Sequence, residues 1–152
     1  MSGICSFALG FWALFTNLLE KEYFNGFDES QYEEEVIQRW GDTDKYKQST
    51  KRWSNYSKSQ KEAIKTEMGN ITKRMIGTDP EGKPDDPEIQ LAVKDYFDFL
   101  NKNFYTCDVE FLRELADMWA VDERFAINYE RVRAGGAEFV RKAVHYFCDN
   151  AK

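Results

Sequence analysis

Residues 57–77, SKSQKEAIKTEMGNITKRMIG, settle the fold class. Ser57 followed by Gln60 has the spacing of a capping box, in which each side chain satisfies a backbone donor of the other residue. Ala63, Ile64, Met68, Ile71, Met75 and Ile76 then trace one apolar stripe over about five turns, and Gly77 stops it. The same 3.6-residue rhythm extends in both directions. Upstream, Asp28 with Gln31 opens a run carrying Tyr32, Val36, Ile37 and Trp40 up to Gly41; Asp42 or Thr43 caps the next helix, a polar one holding Tyr46 and Trp53.

Downstream, residues 77–87 (GTDPEGKPDDP) hold all three prolines and read as a loop. Asp86 caps the helix that follows, with Pro87 at its first position and Ile89, Val93, Tyr96, Phe97 and Leu100 on one face. Another helix is expected over Thr106–Trp119, with Val109, Leu112, Leu115 and Trp119. Asp122 opens a short one with Phe125, Tyr129 and Val132; after Gly135 and Gly136 a last one carries Phe139, Val140, Val144 and Phe147. No stretch alternates with period two, so the expectation is an all-α domain of about seven helices, without strands or repeats.

A chain of 152 residues fits one domain, with 42% hydrophobic residues to build its core. The 12 Phe, 8 Tyr and 4 Trp exceed what that core needs and suggest aromatic walls for a ligand. Net charge is −6, which argues against a phosphate-neutralising surface and direct nucleic-acid contact. The charge is segregated: residues 20–44 hold nine acids and two bases, residues 45–74 nine bases and two acids, a pattern of oppositely charged helix faces. Residues 1–21 form a separate apolar N-terminal segment. Met1–Leu19 has no charged side chain, yet Ile4–Phe15 lacks a basic flank and is too short to span a membrane, so a buried helix or a partner-docking segment is expected.

Three cysteines without CxxC spacing (Cys5, Cys107, Cys148) and one histidine, His145, disfavour a disulfide framework, a zinc site and a histidine-based triad, and place the chain in a reducing cytoplasm. Glu33, Glu34 and Glu35 fan around a helix and do not converge, and Gly135-Gly136 has no phosphate-binding spacing. No catalysis, metal or cofactor is therefore expected. Cys107, near the start of the helix expected from Thr106, has two readings: a thiol activated by the helix dipole, or a small buried hydrophobe. Cys148 reads as structural, and His145 as a surface or internally satisfied histidine. Two aromatic groups stand out as pocket walls or core: Trp40, Tyr46, Trp53 and Tyr56 on polar helices, and Tyr105, Phe111, Met118 and Trp119 around one helix.

The strings Phe27-Asp28-Glu29-Ser30-Gln31-Tyr32-Glu33-Glu34-Glu35-Val36, Arg39-Trp40-Gly41-Asp42-Thr43-Asp44 and Tyr46-Lys47-Gln48-Ser49 resemble the opening of the TipAS antibiotic-recognition family. Phe104-Tyr105-Thr106-Cys107 is similar to that family's Tyr-x-Cys, Asp122-Glu123-Arg124-Phe125 to its DERF motif, and the run from Gly136 through Phe139, Ala143, Tyr146 and Cys148 to its last helix. The resemblance covers about residues 22–152. It implies a globin-like all-α fold without haem, holding drugs in a cleft between helices and forming the effector half of MerR-type activators. On that footing the chain is an excised sensing domain or a free-standing drug receptor that sequesters a thiopeptide-like or planar aromatic antibiotic. Its expected ligand-binding residues are Trp40, Tyr46, Tyr105, Cys107, Phe111 and Trp119. Glu114 stands where some thiopeptide-binding members place a capturing cysteine, so covalent capture falls to Cys107 or does not occur. The alternative is an interaction module that docks a partner, or a second copy in a homo-oligomer, through Ile4–Phe15.

Overall fold

The computed structural model describes residues 44–121 and 123–151. Among them the chain forms six helices and no strand: α1 (Asp44–Asn55), α2 (Lys58–Ile76), α3 (Pro87–Asn103), α4 (Val109–Val121), α5 (Glu123–Val132) and α6 (Gly136–Asn150). The apolar segment 1–21, the helix expected over 28–40 with Trp40, the Asp42 or Thr43 cap, Asp122 and the Phe125 side chain lie outside the described residues. No helix of the described part is long and apolar enough to cross a membrane.

α2 begins as its sequence dictates: the Ser57 hydroxyl accepts from Gln60 N at 3.1 Å, and the Gln60 side chain accepts from Ser57 N at 2.8 Å. It ends at Gly77, whose φ of 70° suits a residue without Cβ. Two helix starts differ from expectation. Asp86 occupies the N-cap of α3, yet its carboxylate turns back into the loop and accepts from Lys83 N at 2.8 Å. The helix expected from Thr106 begins at Val109, because Asp108 Oδ1 accepts from Phe111 N at 2.8 Å and caps it there. Residues 104–108 thus form a tight link between α3 and α4, and Cys107 lies outside the helix.

α6 is the centre of the packing, in contact with α2, α3, α4 and α5. Val140, Ala143 and Val144 are almost fully buried on it, in one core with Met75, Ile76, Val93, Leu100 and Leu112. Burying one such aliphatic side chain is worth roughly 1.5–3 kcal/mol, so the stripes read from the sequence are what assembles the helices. α6 starts under close constraint. Gly135 has φ of 77°, and a Cβ on Gly136 would lie 2.4 Å from Tyr129 O. The Glu130 carboxylate accepts from Gly135 N at 2.6 Å and Ala137 N at 3.4 Å, supplying from α5 the cap that glycine cannot. Gln90 then ties loop, α3 and α6 together, donating to Pro84 O and Ala143 O at 2.9 Å each.

Candidate functional site

α1 is a thinly buried helix; Ser49 is its one buried residue. It is held mainly by polar side chains, three from α1 and Tyr56 just beyond its end, aimed at main-chain groups of the last turn of α3 and of the α3–α4 link. Lys45 Nζ donates to Thr106 O at 2.5 Å, Gln48 Oε1 accepts from Thr106 N at 3.1 Å, Arg52 Nη1 donates to Asn101 O at 2.9 Å and Tyr56 Oη donates to Asn103 O at 2.7 Å. These residues recur at helical spacing and form one docking stripe, which a search for apolar periodicity passes over. Trp53 adds a ring stacked on Phe104, centroids 5.9 Å apart and 17° between planes.

The link is clamped from within. Asn101 Oδ1 accepts from Cys107 N at 2.9 Å, while its amide donates to Cys107 O at 3.1 Å and Phe97 O at 3.0 Å. The clamp places Tyr105 edge-on against Phe111, centroids 5.4 Å apart at 90°. Lys45 Nζ lies over both rings, 4.6 Å from the Phe111 centroid and 5.6 Å from that of Tyr105. Tyr46, half-buried, stands beside it in the first turn of α1. The structure therefore brings Tyr105, Cys107 and Phe111 to one corner, while Tyr46 packs partly buried against the common core. Trp119 lies elsewhere, edge-on to Tyr96 at 5.6 Å and tilted against Tyr129 at 5.9 Å.

Three of the rings expected as ligand walls are closely packed in the structure. Tyr105 is 0% exposed, Trp119 3% and Phe111 5%, because rings of this size contribute most when packed against one another. Cys107 is likewise buried, and burial pushes its thiol up to about 12 despite the opposing pull of the Lys45 ammonium. Of its two readings the structure supports the buried hydrophobe: lying before the capped helix, it gains less from the dipole than it loses by desolvation. Tyr96 and Tyr105 are also raised, first by their own burial and then by the neighbouring Cys107. Cys148 is buried as expected, its thiol donating to Val109 O at 3.2 Å and pushed up to about 11 by burial.

A concavity with no counterpart in the sequence reading is a groove of about 820 Å³ between α2 and α3. Ala63, Ile71 and Phe99 supply apolar surface, and Glu62, Glu67, Asp98 and Lys102 stand among the charged lining residues. An Arg74–Asp95 ion pair at 2.9 Å bridges the two helices there. The volume lies in the range of small-molecule sites, although the groove is open to solvent.

His145 is satisfied internally. Its Nε2 is 2.5 Å from Asp117 Oδ1 and its Nδ1 3.2 Å from Arg113 Nη1. Arginine can only donate, so Nδ1 accepts and Nε2 carries the proton toward Asp117. A triad base needs a hydroxyl or thiol on that second nitrogen, and here it faces a guanidinium. Among the described residues no three His, Cys, Asp or Glu side chains gather as a metal site.

Residues 32–147 match the family described as the TipAS antibiotic-recognition domain. The HTH-type transcriptional activator TipA of Streptomyces coelicolor is 36% identical over 124 residues, 81% of this chain and 49% of that protein. The HTH-type transcriptional activator mta of Bacillus subtilis is 32% identical over 119 residues, 78% of this chain and 46% of that one. The chain thus spans about half the length of the curated relatives it matches. Among solved structures, TipAS in complex with nosiheptide, from a thiopeptide antibiotic multidrug resistance system of Streptomyces lividans, aligns with a TM-score of 0.70 and 33% identity, covering 84% of this chain and 90% of that chain.

Proposed function

The chain belongs to the TipAS antibiotic-recognition domain family, and on that premise we propose that it is a non-catalytic receptor for thiopeptide or planar aromatic antibiotics. The observation that carries this reading is the alignment, over most of both chains, with a domain solved holding nosiheptide. The corner where α1 meets the α3–α4 link supports it. That corner combines clustered rings, main-chain carbonyls and an ammonium beside a helix held by few buried side chains. Binding there draws on apolar burial and ring stacking, with the Tyr46, Tyr105 and Phe111 rings as the apolar part and Thr106 as the polar edge. Trp40 and Trp119 complete the proposed set, Trp119 through the ring chain that joins it to Tyr96, Phe99, Phe104 and Trp53.

Capture is reversible in this account, because the buried Cys107 is a poor nucleophile at neutral pH. The domain serves as the sensing part of a MerR-type regulator or as a receptor that sequesters the drug; both need only this binding step. The test is a tryptophan-fluorescence titration with nosiheptide, followed by intact-mass analysis of the mixture. Saturable quenching with unchanged protein mass is expected; no quenching, or a stable adduct, contradicts the proposal.

A further inference from the structure

The proposed drug site includes a feature that points to one chemical class of ligand. The Lys45 ammonium lies against two aromatic rings set edge to face, 4.6 Å and 5.6 Å from their centroids, and donates to the Thr106 carbonyl at 2.5 Å. Ring faces carry the negative part of the aromatic quadrupole, and a carbonyl oxygen completes a favourable cation environment. This cation belongs to the chain itself. It sits at the end of a flexible stem, half-exposed, on a helix whose one buried residue is Ser49. It can therefore leave by rotating its own side chain into solvent, where an ammonium is well hydrated.

Resting on the drug-receptor reading above, we propose that Tyr105, Phe111 and the Thr106 carbonyl form a seat for the cationic group of an aromatic drug, held in the free protein by Lys45. The lysine acts as an internal competitor. A neutral aromatic gains nothing by displacing it, whereas a cationic one replaces the contact that it breaks. Discrimination between cationic and neutral drugs then depends on how firmly Lys45 holds its place.

The test compares thioflavin T, a planar benzothiazolium cation, with its neutral analogue lacking the ring N-methyl group. Each is titrated by dye fluorescence into wild type, K45M, K45R and K47M. Methionine keeps the stem and removes the competing charge, arginine keeps the charge, and K47M removes an equal charge from an exposed position on the same helix. K45M is expected to bind the cationic dye roughly three- to tenfold more tightly, the scale of an exposed to partly desolvated cation–π contact. The neutral dye should be unchanged in K45M, and K45R and K47M should stay within about twofold of wild type. An unchanged K45M, an equal gain in K47M, or an equal gain for the neutral dye overturns the seat. Nosiheptide titrated into the same wild-type sample separates the two ideas: retained nosiheptide binding alongside any of those results rejects the seat alone, and loss of all binding rejects the receptor reading as well.

Discussion

Cys107 should be almost inert toward alkylation in the folded protein. Its thiol is pushed from the usual 9.0 up to about 12, so at neutral pH the thiolate fraction falls by roughly a thousandfold. Only the thiolate attacks iodoacetamide, and the sulfur is 4% exposed in residue terms, so access lowers the rate further. Cys148, pushed up to about 11, retains roughly ten times more thiolate and serves as an internal comparison. The assay is timed labelling with iodoacetamide in native buffer and in denaturant at the same pH, followed by peptide mass spectrometry. Native labelling of the Cys107 peptide should be at least about a thousandfold slower than in denaturant and slower than that of Cys148. Replacing Asn101 by Ala removes the clamp on Cys107 N and O and should speed the Cys107 reaction specifically. Native labelling within about tenfold of the denatured rate would refute the burial argument and return covalent drug capture to consideration.

Asn101→Ala should also cost about 2 kcal/mol in urea denaturation, since two main-chain groups lose their partner. Gly136→Ala should cost at least about 2 kcal/mol, because the new Cβ meets backbone at 2.4 Å, whereas Gly69→Ala, with nothing within 4 Å, should stabilise by about 1 kcal/mol in the same assay. Stability should also decline at alkaline pH. Cys107, Cys148, Tyr96, Tyr105 and Tyr129 hold their protons more tightly folded than unfolded, so their contribution is complete below about pH 9 and is lost as pH rises through the raised values. Of the eight tyrosines, these three should form tyrosinate only together with unfolding; ionisation of all eight while the helical signal persists contradicts the burial of these rings.

The helices were legible because their stripes are strong. Ile64 to Ile76, Ile89 to Leu100 and Val140 to Val144 lie in the core where their spacing places them. Starts were harder where two acceptors compete: Asp86 gives its carboxylate to a loop amide, and Asp108 displaces Thr106 as the start of α4. The candidate site was half legible. Tyr105, Cys107 and Phe111 gather at one corner, but their burial there was not legible, because aromatic type alone does not distinguish a pocket wall from core. The residues that hold α1 there, Lys45, Gln48 and Arg52, escaped notice because their partners are main-chain groups some 50 to 60 residues away, and apolar periodicity carries no signal for such bonds. The groove between α2 and α3 depends on the spacing of two helices that no local pattern encodes.

The central claim is that an antibiotic binds reversibly where α1 meets the α3–α4 link. An amide chemical-shift map of the labelled chain titrated with nosiheptide tests it most directly. Saturable shifts centred on residues 44–56 and 101–112, reversed on removing the drug, are the predicted result. Absence of shifts, or shifts confined to the groove between α2 and α3, would contradict it.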